Sequence, residues 1–279
     1  MAQVTRGSDG VHDIREFSVD VLTEGEFADS FLAGDNSLVL PTDTMKNTVY
    51  VLAKRHPIQD AESFGALAGR FFLERNPAMT RVEVSLRETR WERLQVAGQA
   101  HPHAFQAPGL GRPVARVSAT RGAEGGNPVV ETESGVDDLC LLKTTGSAFK
   151  DYPRDDLTTL PETDDRILST LMQGRWTYDT GRIDAQGEGF SFPGANKTVL
   201  DAMLAMFATE HSVSVQATLF SMGAAALAAV PELARVTLRL PNRHYLLFDL
   251  GRFGLENKNE VFYPTDEPHG QIEATVERA

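Results

Sequence analysis

The feature that most constrains the fold is an order of predicted elements that occurs twice along the chain. Segments of alternating apolar and polar residues predict strands, and segments with apolar residues three and four apart predict helices. The predicted strands of the first half cover 12–27, 80–94 and 112–121, and its predicted helices cover 41–55 and 60–77. Those of the second half cover 138–144, 165–178, 236–241 and 244–250, with helices around 200–207 and 214–230. Strands, two helices and strands, repeated, predict two α+β units, each an antiparallel sheet with helices on one face.

The division between the two units is predicted at a glycine-rich segment, GAEGGNP at 122–128. Such a polar, glycine-rich stretch is typical of a linker. We therefore expect a first unit over 1–127 and a second over 128–279. Because open sheets leave edge strands unpaired, which proteins usually cover or pair, we also expect a homo-oligomer.

Composition excludes several classes of function. The net charge of −12 argues against a nucleic-acid-binding protein, which needs clustered lysine and arginine. No apolar run has the length of a membrane span, and the N-terminus lacks the apolar segment of a signal peptide. The single cysteine, Cys140, lies in the apolar run LCLL and is predicted to be a core residue. One cysteine forms no intramolecular disulfide, so we expect a cytoplasmic protein.

Polar residues open the apolar helix predicted at 41–55. Thr42 and Asp43 stand where this helix begins, followed by the apolar stripe of Val49, Leu52 and Ala53. A threonine or aspartate at that point commonly caps the helix, and spacing alone favours this role. The alternative is that the hydroxyl and the carboxylate face a ligand.

Two residues of the segment SAFKDYPRDDLTTLPETDDRI are candidates for ligand contact. Phe149 and Arg166 lie seventeen positions apart in it. Taken alone, Phe149 is predicted to anchor a loop. Arg166 taken alone is predicted to pair with Asp164 or Asp165.

Three further segments offer polar candidates. Gln216 lies near a predicted helix start, where a solvated role is the common one, and Asn242 and His244 lie at a predicted hairpin. An imidazole on a strand is the more suggestive of these, because histidine transfers protons near neutral pH. His101 and His103 could offer two nitrogens to a metal, but a third ligand is not evident, so a surface or hydrogen-bonded role is favoured. No glycine-rich phosphate loop follows a strand, which argues against a nicotinamide or ATP site.

Taken together, these segments resemble one known family over nearly the whole chain. The matching stretches are TDTMKNTVYVLAK, SAFKDYPRDDLTTLPETDDRI, SVQATL, LPNRHYLLFDL and NEVFYPTDEPHGQIEATV. In this order they resemble the urate oxidase family, with the resemblance running from about His12 to Arg278.

The resemblance implies a fold, an assembly and a reaction. It implies a tandem of two tunnelling-fold units, assembled as a homotetramer. It implies oxidation of urate by dioxygen and water to 5-hydroxyisourate and hydrogen peroxide, with no metal or organic cofactor, because the urate dianion itself gives electrons to dioxygen.

The resemblance also implies roles for the candidate residues on the purine's flat faces and pyrimidine edge. The purine would lie between Phe149 and Val215. Arg166 and Gln216 would hold its pyrimidine edge, since arginine offers a charged planar fork and glutamine a donor beside an acceptor.

The remaining candidates would surround the five-membered ring. Thr42 and Asp43 would reach it from a neighbouring subunit, and Asn242 would hold dioxygen or water above it. His244 would relay protons together with the threonine and a lysine.

One departure from the family pattern lies at the N-terminus. Family members begin with a strand that carries Tyr-Gly-Lys, whose lysine acts as the base, whereas this sequence opens MAQVTRGSDGVHDIREF and has no lysine before Lys46. Lys46 lies within the predicted helix and is expected to point elsewhere. We therefore expect that the first strand of unit one is missing, through a truncated start or true loss of the base, with lower stability and weak activity.

Two alternatives to an active urate oxidase stay open on the sequence. One is a catalytically impaired uricase relative that binds purines without turnover. The other is a zinc-dependent tunnelling-fold enzyme acting on pterins or purines, which the single Cys140 disfavours because such sites commonly use histidine and cysteine.

Overall fold

The computed structural model describes residues 1–109, 111–123, 126–186 and 190–278. The chain forms two compact units: unit 1 comprises Met1–Gly135 and Thr177–Pro193, and unit 2 comprises Val136–Trp176 and Gly194–Ala279. The predicted boundary between residues 127 and 128 divides the chain by its sequence repeat, and it stays a prediction. Residues 124 and 125 of the predicted linker lie outside the described residues.

Unit 1 contains an antiparallel sheet with helices packed on it. Its strands are β1 (Ala2–Arg6), β2 (His12–Gly25), β3 (Met79–Thr89), β4 (Glu92–Val96), β5 (Gln99–Gln106) and β6 (Arg112–Thr120). The strand order is β1-β2-β3-β6, followed by β7 (Val129–Lys143), while β4 and β5 form a separate two-stranded sheet. Its helices are α1 (Ala28–Leu32), α2 (Thr42–Arg55), α3 (Ala61–Arg75) and α4 (Thr180–Gln186).

The core of unit 1 is where the helical stripes meet the sheet. Leu52 of α2 and Phe72 of α3 are each 1% exposed, and Val82 and Val84 of β3 are fully buried. The alternation of β3 places these two valines on one face, and the three-and-four spacing of α3 places its apolar stripe against them.

Unit 2 repeats the same arrangement. Its elements are the second part of β7, most of β8 (Leu168–Tyr178), α5 (Phe192–Thr209), α6 (Val215–Ala229), β9 (Leu233–Leu247), a 3-10 turn (Gly251–Phe253), β10 (Phe262–Thr265) and β11 (Gln271–Glu277). The strand order is β7-β8-β9, and β9 pairs with both β10 and β11. The predicted α+β class is thereby confirmed. No helix of the described chain is long and apolar enough to cross a membrane.

The prediction that unit one lacks its first strand is wrong. Ala2–Arg6 pairs antiparallel with β2 in a continuous register, with Val4 opposite Ile14. The strand is also attached to the helical layer, since the Ile58 N–H donates to Gln3 Oε1 at 2.9 Å. Five residues with one strongly apolar side chain give too short an alternation for the sequence to predict this strand.

The segment at 90–113 also differs from its prediction. Instead of one strand that ends at residue 94, the chain forms a separate hairpin in which Val96 pairs with Gln99. Its two central residues, Ala97 and Gly98, both have positive φ, 51° and 78°. Positive φ at both positions is the geometry of a tight two-residue hairpin.

Strand β9 is continuous where a hairpin at Pro241 and Asn242 was predicted. Pro241 is the last residue of β9 to pair with β11, and His244 is the first to pair with β10, opposite Thr265. Proline lacks the N–H that a ladder needs, so it is tolerated where the strand changes partner.

The predicted core position of Cys140 is wrong, because the residue is exposed. The run LCLL lies in a strand, where successive side chains point to opposite faces, so an unbroken apolar run does not mean that every member is buried.

Helix α3 allows a direct test of local stability. The Asp60 carboxylate caps it by accepting the Ser63 N–H at 2.7 Å. We expect Asp60→Ala to lower the free energy of unfolding by about 1 kcal/mol, while Asp60→Asn changes it little. Thermal unfolding of the two variants measures this, and equal melting temperatures for both would contradict it.

Candidate functional site

Arg166 and Phe149 form a pair in unit 2. The guanidinium carbon lies 5.6 Å from the centroid of the phenyl ring. The pair is fixed by the backbone, since Phe149 N–H donates to Thr163 O at 2.9 Å and Arg166 N–H donates to Ser147 O at 2.8 Å. A cation over an aromatic face at this distance is an attractive contact.

Arg166 is a half-buried cation with no counterion among the described residues. Its Nε is buried and makes no hydrogen bond to any described residue. Burial lowers the pKa of Arg166 from its ordinary value. Since a buried donor left unpaired is costly, the arrangement suits an acceptor supplied by a ligand.

The predicted ion pair between Arg166 and its neighbouring aspartates is wrong. Asp164 pairs with Lys150 at 2.5 Å. Asp165 accepts a hydrogen bond from Thr145 Oγ1 at 2.8 Å, which lowers the pKa of Asp165. Both carboxylates are therefore used to hold the loop that carries Phe149.

Val215 and Gln216 are the first two residues of α6. Ser214 caps this helix, its Oγ accepting the Ala217 N–H at 3.1 Å. Val215 is 5% exposed, whereas Gln216 is exposed and its amide bonds no described residue. The helix start thus presents a buried aliphatic surface beside a free amide.

Ser212 brings these two pairs together. Its N–H donates to Gly146 O at 2.8 Å, and its carbonyl accepts the Ala148 N–H at 2.7 Å. Residue 212 lies just before α6, and residues 146 and 148 lie in the loop that carries Phe149. The backbone therefore joins the Arg166–Phe149 pair to the start of α6.

A cavity of about 10 Å³ extends the same site toward β9. It is lined by Leu168, Ser169, Thr170, Phe207, Val215, Thr218, Leu240 and Asn242. The hydroxyls of Ser169 and Thr170 are buried and have no partner among the described residues. The walls of the cavity are almost entirely apolar, and a space of this size is about that of one water molecule.

Asn242 and His244 both lie on β9, and Asn242 lines this cavity. They are two positions apart in a strand, so their side chains leave the same face. Asn242 N–H donates to Gly270 O at 2.8 Å. Five of the predicted positions are thereby connected through one region of unit 2, and His244 lies on the strand next to it.

Thr42 and Asp43 belong to unit 1, at the start of α2. Neither caps the helix: Pro41 occupies the capping position and makes no side-chain hydrogen bond there. Asp43 instead accepts from Lys46 Nζ at 2.7 Å and Asn47 Nδ2 at 2.9 Å. The lysine lowers the pKa of Asp43, and the aspartate raises that of Lys46.

Thr42 faces a pocket of about 290 Å³. The pocket is lined by Met1, Val19, Asp20, Val21, Thr42, Met45, Lys46, Val49 and Tyr50. A larger pocket of about 510 Å³ also lies in unit 1, beside Arg70 and Phe192, but no predicted site residue lines it.

His101 and His103 lie on β5, where their rings meet edge to face with centroids 4.6 Å apart. His12 adds a third imidazole, 5.8 Å from His103. His103 N–H donates to His101 Nδ1 at 3.3 Å, which is the hydrogen-bonded role that was favoured. Within the described ranges, no three histidine, cysteine, aspartate or glutamate side chains are placed to hold a metal ion.

The fold and this region define a class before any comparison. The chain is an α+β protein whose second unit connects a half-buried arginine over an aromatic ring to a helix start with a buried valine and a free amide, and such groups are typical of a small-molecule site. Comparison with known proteins identifies the family. The sequence model of the uricase family matches residues 2–118 and 132–273. The chain belongs to the uricase family.

Individual relatives agree with this assignment. A uricase of Dictyostelium discoideum is 39% identical over 279 residues, covering 99% of this chain and 93% of that protein. A uricase of Arthrobacter globiformis is 36% identical over 278 residues, covering 100% of this chain and 86% of that protein. The crystal structure of uricase from Arthrobacter globiformis superposes with a TM-score of 0.90 at 35% identity, covering 100% of this chain and 90% of that chain. The solved relatives thus support the tandem tunnelling fold.

The family match also extends the resemblance that was expected to start near His12. It begins at residue 2 and so includes β1.

Sequence reasoning missed the residues that assemble the site. Ser147, Ser169, Thr170 and Ser212 are almost fully buried. The sequence indicates these residues only through hydroxyl side chains next to apolar residues, as in the segment ILST. That pattern does not predict which distant residues they contact.

Proposed function

We propose that this chain is a urate oxidase, which oxidises urate with dioxygen and water to 5-hydroxyisourate and hydrogen peroxide. The observation that carries the proposal is the buried Arg166, whose Nε lacks a partner within the described chain while its guanidinium packs over Phe149. A flat anion stacked on the ring would satisfy that donor. Urate is such an anion, and membership of the uricase family supports it as the substrate.

Four residues would bind the purine, and we call them the purine clamp: Phe149, Arg166, Val215 and Gln216. The phenyl ring and the valine would cover the two faces, because aromatic and aliphatic surfaces pack well on a planar ring. Arg166 and Gln216 would hold the pyrimidine edge through a charged fork and an amide. The buried cation would also attract an anion to a chain of net charge −12.

The oxidation itself would take place at the other edge of the purine. Asn242 borders the small cavity, so we propose that dioxygen or water binds beside its amide. His244 would carry protons between substrate, solvent and Thr42, since a positioned imidazole is an effective acid and base. We propose no metal or organic cofactor; the protein's task is to deprotonate, orient and desolvate urate.

Thr42 and Asp43 would complete the site from a neighbouring subunit. Thr42 is exposed, lies beside a pocket and is not used as a cap, so its hydroxyl is available to a ligand. We therefore propose a homo-oligomer, a tetramer, with the sites at subunit boundaries. The edge strand β1, with its single described partner β2, offers a surface that subunit pairing would cover. We also propose a cytoplasmic location, on the single cysteine.

The decisive experiment follows the purine and the peroxide together. Purified protein is mixed with urate, and loss of urate absorbance is recorded beside peroxide release, with and without a metal chelator. We expect one peroxide for each urate consumed and no effect of the chelator. Urate that binds but is not consumed would instead identify the impaired relative, and chelator-sensitive turnover would contradict cofactor-free chemistry.

A further inference from the structure

Lys143 is a half-buried lysine that contacts the C-terminal end of α5. It is the last residue of β7, and its Nζ donates to Glu210 O at 2.8 Å. The same ammonium lies 5.5 Å from the centroid of the Phe207 ring. Burial lowers the pKa of Lys143, and the Glu210 carboxylate acts in the opposite direction. Lysines are rarely buried without a partner, and the final carbonyls of a helix are natural partners for a cation.

Glu210 connects the same helix end to α6. Its N–H donates to Met206 O at 3.1 Å, which closes the last turn of α5. Its Oε1 accepts a hydrogen bond from Ser221 Oγ at 3.0 Å, while Oε2 is buried and has no partner in the described chain. One residue is thus held by β7, α5 and α6.

These contacts connect the segment 143–149 to the segment 210–212 at two points beside the purine clamp. Lys143 is followed directly by the loop at 144–149, whose Gly146 and Ala148 bond the backbone of Ser212. Ser212 lies two residues after Glu210, which returns to Lys143. The two segments are therefore joined at one end by Ser212 and at the other end by Lys143.

Lys143 also contacts Phe207, which lies beside Val215 in the lining of the small cavity. Phe207, beneath the ammonium, lines the small cavity together with Val215 and Asn242. A shift of α5 would move the aliphatic wall of the clamp relative to Phe149.

We propose that Lys143 is a positioning residue for the purine: it holds the segment 210–215 against the loop 144–149, and so sets the spacing between the two faces of the clamp. The inference rests on the proposed function only in naming a purine as the ligand. Displacements of about 1 Å in such a site reduce rates by up to about 100-fold, so a contact outside the site matters.

The test compares four substitutions at two lysines. Lys143→Met keeps the length of the side chain and removes the charge, whereas Lys143→Arg keeps a cation that can reach the same carbonyl. Lys197→Met is the matched control, because Lys197 lies on α5 but is exposed and forms an ion pair with Asp201 at 2.5 Å. Lys143→Gln serves as a second neutral variant if Lys143→Met does not fold.

The first measurement needs no purine. We expect amide hydrogen exchange at Ala148 and Ser212 to become at least about tenfold faster in the neutral variants, since a hydrogen bond to a charged group is lost. Lys143→Arg should stay near the wild-type rates, and Lys197→Met should equal them. Unchanged exchange in the neutral variants would overturn the proposal.

The second measurement uses xanthine, a purine with the same pyrimidine edge, and urate. We expect the Kd of xanthine and the KM of urate to rise about tenfold in the neutral variants, with recovery in Lys143→Arg. Faster exchange with an unchanged Kd would overturn the positioning role. Failure of the wild-type protein to bind either purine would refute the proposed function. The exchange result would still decide whether Lys143 holds the segment 210–215 against the loop 144–149.

Discussion

Replacing Arg166 by alanine should abolish purine binding. Arg166 supplies a charged donor in a largely buried position, and its Nε has no described partner in the protein. Removing one side of a buried hydrogen-bonded charge pair costs about 2–5 kcal/mol. We therefore expect the Kd for xanthine and the KM for urate to rise at least about 100-fold in Arg166→Ala, measured by titration calorimetry and by urate absorbance.

Arg75→Ala is the matched control for this prediction. The Arg75 guanidinium also lies over a phenyl ring, 5.4 Å from the centroid of Phe71, but the residue is exposed and belongs to α3 of unit 1. We expect no change in purine affinity for Arg75→Ala. Unchanged affinity in Arg166→Ala as well would refute the assignment of Arg166 to the substrate.

Arg166 should also lower the thermal stability of the protein in the absence of a ligand. An unpaired buried charge is destabilising, and burial already lowers the pKa of Arg166. Arg166→Met keeps much of the packing on Phe149 without the charge, so its melting temperature should equal or exceed that of the wild type. A binding site that costs stability in the absence of ligand is the expected sign of function.

The layered fold could be predicted from the sequence because two periodicities recur in the same order. The stripe of α3 and the alternation of β3 each place apolar residues on one face, and burial of Phe72 and Val82 follows from that pattern. The candidate site residues came from a resemblance, whereas spacing alone favoured a helix cap at Thr42 and an ion pair at Arg166. Both of those local roles proved wrong, which leaves the two side chains available to a ligand.

The features that the sequence could not predict depend on contacts between distant residues. Nothing in local pattern says that Ala148 bonds Ser212 or that β9 changes partner at Pro241. The hairpin at Ala97 and Gly98 lacks the usual asparagine, so its turn signal is weak although both residues have positive φ. Cys140 shows the converse: a local apolar run suggested burial, and the strand's alternation exposes the residue.

His244→Ala should slow turnover far more than it weakens binding. His244 is half-buried on β9, two positions beyond Asn242 and directly opposite Thr265 of β10. In the proposed binding mode its imidazole acts at the edge of the purine that is oxidised, and Arg166 holds the opposite, pyrimidine edge. Because proton transfer by a positioned side chain contributes about 10²- to 10⁴-fold to rate, we expect kcat to fall by about that factor. The KM for urate should stay within about threefold, because the clamp is intact.

Chemical rescue separates proton transfer from a structural role of the same residue. Imidazole added to His244→Ala should restore part of kcat, whereas it should leave the control variant His103→Ala unchanged. His103 is a suitable control because it is exposed and its ring pairs with those of His101 and His12 in unit 1. A raised KM with unchanged kcat would indicate that His244 binds the substrate and does not transfer protons. Unchanged kcat and KM together would remove it from the site, and the proton relay would then have to be sought in the pocket beside Thr42 and Lys46.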